Sequence, residues 1–123
     1  MNYLKKLFKG RLSLGNFWIG LILPVIICIP IGFIPGTESG YSSVFLNLIG
    51  IVLLFALSVY FLSLILRRLH DTGKSGWFGL GVYLPIFGLY VLYLILLGDS
   101  QEKENKYGPI PNKKISLKNI LNI

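Results

Sequence analysis

Charge is scarce in this chain of 123 residues, and acid is scarcest: five Asp and Glu stand against twelve Lys and Arg. There is one cysteine, one histidine and one alanine, Ala56. A lone Cys28 excludes an intramolecular disulfide, and Ile27 fills the place before it where a lipoprotein attachment site needs a small residue. One His and one Cys cannot assemble a tetrahedral zinc site from this chain alone, so no metal and no cofactor are expected. No A-x-A-like site follows the first apolar stretch, which argues for an uncleaved anchor over a signal peptide.

What remains is apolar. Hydrophobic residues make up 54% of the chain and fall in blocks. A soluble domain of this size leaves too much surface exposed to hide them, so lipid is the natural solvent. The first block, residues 17–34, opens with Phe17-Trp18 and contains Pro24 and Pro30. Its eighteen residues reach about 27 Å, close to a bilayer's hydrocarbon thickness. The second, residues 44–66, has no charge and is the strongest span. Asn47, Gly50 and Ser58 lie within roughly 80° of one another on it and mark the expected helix-packing face. The third block covers 77–97, with Pro85 and Gly88 inside it. Around the blocks lie a basic amphipathic leader (1–16), a polar turn (35–43), a polar loop (67–76) and a Lys- and Asn-rich tail (98–123). The fold class is therefore an all-α integral membrane protein: one domain, a small bundle of three transmembrane helices with an N-terminal amphipathic segment.

Positive charge sets the orientation. The leader carries four Lys and Arg, the 35–43 turn none and the 67–76 loop three, placing the N-terminus and that loop in the cytoplasm. Three full spans would put the tail's five lysines outside. A re-entrant third segment bent at Pro85–Gly88 would gather all twelve basic residues on one side. Three full spans are expected, since 21 apolar residues suit the bilayer and Asp99, Glu102 and Glu104 dilute the tail.

The string RRLHDTGKSGWF, residues 67–78, resembles the signature of the small bacterial membrane proteins catalogued as domain of unknown function 805, the YhaH-like inner-membrane proteins. Gly10-Arg11 followed by Phe17-Trp18 is similar to that family's first element. Gly98 followed by Asn105, Tyr107, Gly108, Pro109 and Pro111 is similar to its last. Leu14, Asn16 and Ile110 depart from the pattern, Asn16 standing where an acid is common. The resemblance implies a helical fold in the bacterial inner membrane and no particular reaction.

Arg67, Arg68, His70, Asp71, Lys74 and Ser75 form the densest polar segment between the first span and the tail. An Asp71–Arg pair is the simplest way to hold such a loop at a membrane boundary. Gly73 and Gly76 suit a turn with accessible amides, which bind anions. Arg68, Lys74 and those amides, with Arg11 from the leader, are expected to grip an anionic phospholipid headgroup or a partner protein; the plainer reading is inside-positive anchors and a structural ion pair. His70 and Asp71 are adjacent and so do not face each other on a helix, which speaks against an acid–base pair. The expected function is thus non-enzymatic. The alternatives are a subunit of an oligomeric transporter or channel, and a membrane-embedded enzyme using His70, Asp71 and Ser75 on lipid or envelope precursors. Nucleic acid is not an expected partner, because the basic residues flank apolar blocks; a homo-oligomer or a membrane partner is compatible with the sequence.

Overall fold

The computed structural model describes residues 6–32 and 41–123, and the side chains within 6–27 and 44–123. Helix α1 spans Leu14–Gly32 and α2 spans Tyr41–Asp71. A 3₁₀ helix covers Gly76–Tyr83, followed by α3 over Pro85–Leu96 and a short α4 over Leu117–Leu121. The protein is all-helical; among the described residues nothing extends beyond an isolated bridge between Asn105 and Gly108. The first residues of the leader and most of the 35–43 turn lie outside the described residues.

Helix α2 organises everything. Its 31 residues run about 46 Å, and its Val44–Asp71 portion is long and apolar enough to cross a membrane. The core sits at the C-terminal end of this helix. Leu64 and Leu69 are fully buried there against Leu12, Phe17, Val91, Ile95 and Ile120. Helix α1 crosses close by: a Cβ on Gly20 would come within 3.1 Å of Leu64, and the Tyr60 hydroxyl donates to the Gly20 carbonyl at 3.0 Å.

The expected packing face of α2 is not the one used. Asn47 is exposed, Gly50 has open space where a Cβ would point, and Ser58 bonds its own helix at Leu54 and Phe55. Contacts are made nearer the C-terminal end of the helix, by Tyr60, Phe61, Leu64 and Ile65. Small residues permit close approach but do not compel it, and the pull here comes from the polar cluster beyond Leu66.

The third apolar block corrects a second expectation, since it does not form one continuous helix. Pro85 cannot donate to a helix ladder, and it holds Leu84 in the extended region (φ −93°, ψ 127°). The block therefore splits into the 3₁₀ helix and α3, with Pro85 at the start of α3 where a missing N–H costs nothing. The halves pack on each other. Phe78 and Phe87 meet at 5.0 Å between ring centroids, and a Cβ on Gly88 would lie 2.5 Å from the Val82 carbonyl oxygen. At twelve residues α3 reaches only about 18 Å.

Helix α2 stops in a Schellman turn. Lys74 N–H donates to Leu69 at 2.9 Å and Gly73 N–H to His70 at 3.1 Å, with Gly73 at φ +79°. The tail is not loose. Ser116 caps α4 by accepting from Lys118 N–H, and Ile120 inserts beside Leu64 and Gly20.

Candidate functional site

Arg68 and Asp71 are three apart on α2 and share a face. Arg68 Nη1 donates to Asp71 Oδ2 at 2.5 Å. Arg11 arrives from the leader, which turns at Gly10 (φ +87°) and runs extended beside the end of α2, with Leu12 N–H donating to the Arg67 carbonyl at 3.2 Å. Arg11 Nε then meets Asp71 Oδ1 at 3.0 Å, and the Ser100 hydroxyl donates to Oδ2. All three charged side chains are fully buried.

Buried guanidinium groups need every N–H satisfied. Arg11 gives its others to the carbonyls of Gln101 at 2.5 Å and Lys103 at 2.8 Å. Arg68 gives its others to Ile95 at 3.3 Å and to Gly98. Ile95 and Gly98 flank the C-terminus of α3, where carbonyls lack helical partners and the dipole is negative. Two arginines and one aspartate thus bind the leader, the end of α2 and the segment after the third block into one latch.

Two further anchors hold the tail. Arg67, turned away from Asp71, donates to the Asn119 and Ile120 carbonyls, both at 2.6 Å. Asn16 is fully buried; its two Nδ2 hydrogens are shared among Ser13 Oγ at 2.8 Å, Lys114 O at 3.0 Å and Asn112 O at 3.2 Å, while Oδ1 accepts from Ser116 N–H at 3.0 Å. Sequence reasoning noticed Asn16 only as a departure from a family pattern. Its amide, donor and acceptor at once, suits a tail of backbone carbonyls better than a carboxylate would.

His70 and Asp71 point apart, as neighbours on a helix must. The His70 ring stacks on Tyr107 at 3.9 Å between centroids, with 7° between the planes, and Nδ1 meets the Gly10 carbonyl at 3.3 Å. Asn105 braces this stack, donating to the His70 carbonyl at 2.9 Å and accepting from Tyr107 N–H. Burial pulls the His70 pKa below its ordinary 6.5; the Gly10 bond opposes that shift and nearby Lys106 adds to it. The unfolded chain therefore takes up this proton first as pH falls. His70's contribution is complete above pH 6.5 and is lost as pH drops through the folded value. Thermal unfolding in detergent between pH 7.5 and 5 is expected to show falling stability, with a flatter profile in His70→Gln.

Lys74 and Ser75 stand outside the latch. Lys74 Nζ lies 5.4 Å over the Phe78 ring, and the Ser75 side chain makes no capping bond to the 3₁₀ helix it precedes. The turn's amides are not open to anions as expected, since those of Gly73 and Lys74 close the Schellman bonds. Arg11 and Arg68 are likewise spent on internal acceptors, and Arg67 gives both terminal nitrogens to carbonyls while its buried Nε has no hydrogen-bond partner among the described residues. An open cavity of about 610 Å³ lies alongside, lined by Phe8, Leu62, Leu66 and Leu80 and reaching His70, Ser75 and Tyr107.

Residues 6–109 match the family described as Protein of unknown function (DUF805). The chain belongs to that family. Among curated proteins, this DUF805 chain is 30% identical over 107 residues to Inner membrane protein YhaI of Escherichia coli K12, covering 85% of each. It is 25% identical over 109 residues to Inner membrane protein YhaH of the same strain, covering 85% of this chain and 86% of that one. No solved structure matches. The three stretches that carried the family resemblance converge in space: Arg11, the 67–78 string, and the Gly98 to Tyr107 segment supply the latch and the His70–Tyr107 stack. In this DUF805 protein α4 lies past the residues matched to the family, and Arg67 holds it against the end of α2.

Proposed function

We propose that this protein is a non-enzymatic component of the cytoplasmic membrane that crosses the bilayer twice and presents a lysine-faced cap to anionic lipid headgroups. The third apolar segment is re-entrant in this reading. It leaves the latch after the Lys74 turn and returns to it at Gly98, so both of its ends belong to one face. Leader, loop and tail then lie together in the cytoplasm with all twelve basic residues, the arrangement that positive-inside bias favours. An enzyme is less well supported, since the Asp71 carboxylate that would orient a His70 base is already filled by Arg11, Arg68 and Ser100.

The observation that carries the reading is how the cations are sorted. The three arginines are buried on backbone carbonyls and Asp71, whereas Lys6, Lys9, Lys103, Lys106, Lys113, Lys114 and Lys118 are exposed. Guanidinium forks suit fixed internal acceptors; compact, strongly hydrated ammonium groups suit a fluid anionic surface. Each lysine at such a surface is worth about 1 kcal/mol. Spin-labelled lipids in reconstituted bilayers are expected to show selectivity for phosphatidylglycerol over phosphatidylcholine in the lipid shell. Raising salt should weaken that selectivity, as should the Lys113→Glu/Lys114→Glu/Lys118→Glu variant. Equal affinity for both lipids in the unmodified protein would overturn the reading.

A further inference from the structure

The open cavity beside the latch has a direction. Leu62 and His70 both line it and are eight residues apart on α2, so it descends about 12 Å from the cap toward the apolar zone. Its deep walls are Leu62, Leu66 and Leu80, with Leu62 and Leu80 themselves half open to the surroundings. Its shallow end carries His70, Ser75 and Tyr107. At about 610 Å³ it falls within the range of small-molecule sites. An apolar slot that opens sideways and becomes polar at the cap fits one chain of an amphiphile with its headgroup uppermost.

The polar end selects the headgroup. A carbonyl can only accept, so the His70 Nδ1 that meets Gly10 carries the proton, and the neutral ring's Nε2 is left as an acceptor. A ligand meeting Nε2 must donate. Lys106 Nζ lies 5.0 Å over Tyr107, which stacks on His70, and Lys74 stands beside Ser75 over Phe78. These ammonium groups draw a phosphate and repel a headgroup amine. A hydroxyl next to a phosphodiester meets both requirements, and the uncommitted Ser75 hydroxyl offers the phosphate a further donor.

We propose that this cavity holds one phosphatidylglycerol molecule, one chain against Leu62, Leu66 and Leu80 and its glycerol headgroup at His70, Ser75 and Tyr107, with Lys106 and Lys74 beside these lining residues rather than among them. The inference deepens the proposed lipid-facing role and rests on this end of α2 lying at a bilayer surface. It is tested by native mass spectrometry on delipidated protein given equimolar dioleoylphosphatidylglycerol and dioleoylphosphatidylethanolamine. The unmodified protein is expected to keep one phosphatidylglycerol at roughly tenfold preference, about what one to two lysine contacts supply. Lys106→Glu, at an exposed position, should bring retention down to that of phosphatidylethanolamine. Leu62→Trp, which fills the slot from a half-exposed site, should reduce retention of both lipids. The Lys113→Glu/Lys114→Glu/Lys118→Glu variant should keep its single adduct, which separates this site from the general surface affinity of the cap. Equal retention of the two lipids by the unmodified protein, or undiminished phosphatidylglycerol binding by Leu62→Trp, would overturn the assignment.

Discussion

Asp71→Ala is expected to cost about 3–5 kcal/mol and to release the leader and tail together, because it strands two guanidinium groups in the core. The carboxylate is wholly buried and holds Arg11 on one oxygen and Arg68 and Ser100 on the other. Without it, two guanidinium groups remain buried with no carboxylate bonded to either, held by backbone carbonyls and Ser100, and among the described residues Arg68 has only the exposed Asp99 as a nearby negative charge. A loss of this size is a large share of the roughly 5–15 kcal/mol that holds a typical domain together. It should appear as a lower midpoint in thermal unfolding followed by tryptophan fluorescence. It should also appear as new protease cleavage in the 98–116 segment. Charge burial, not shape, is the cause proposed, so Asp71→Leu combined with Arg68→Met should recover part of the loss. Recovery would be incomplete, because Arg68 also satisfies the carbonyls of Ile95 and Gly98. An Asp71→Ala protein as stable as the parent would mean the latch contributes no more than an apolar filler.

Gly88→Val is expected to pry apart the two halves of the third segment. A Cβ at this position would sit 2.5 Å from a backbone carbonyl oxygen at Val82, and backbone cannot swing aside as a side-chain tip can. Overpacking of this kind costs about 1–3 kcal/mol, more where the neighbour is rigid. Gly81 makes the useful contrast. There the obstruction is the Phe87 ring, which can rotate, so Gly81→Ala should be the milder change. The measurement is Phe78–Phe87 proximity, read as cross-linking between cysteines introduced at those positions. Their rings lie 5.0 Å apart in the parent, and the cross-link should be lost in Gly88→Val and kept in Gly81→Ala. An undisturbed cross-link in both would show that the halves do not need the glycine to meet.

The features legible in the sequence were those written in local pattern. Long uncharged blocks announce apolar helices, and Asp71 among arginines announces an ion pair. Which arginines pair with it was less visible: Arg68 follows from helical spacing, but Arg11 is sixty residues away. The work done by the tail was not legible at all. Arg67 and Asn16 reach backbone carbonyls about fifty to a hundred residues further on, and a carbonyl acceptor has no residue type to betray it. For the same reason the sequence left the arginines open both to an external anion and to a structural ion pair. A buried arginine on carbonyls and an exposed one awaiting a phosphate look identical in one dimension. The third block was read as a full span because its length fits the bilayer. Pro85 and Gly88 were noticed, but the packing of Phe78 on Phe87 that holds the two halves of the block together depends on contacts no periodicity encodes.

The central claim is that leader, loop and tail share one membrane face, and the sidedness of the tail tests it most directly. Lys113 is exposed on the tail, and Cys28 is the only native cysteine, so Lys113→Cys in a Cys28→Ala background gives a single reporter. A membrane-impermeant maleimide applied to intact bacterial cells should leave that cysteine unmodified and should label it after lysis, as it should a reporter at Lys9. Labelling at Lys113 in intact cells would put the tail outside, make the third segment a full crossing and contradict the latch as the organising feature of the fold.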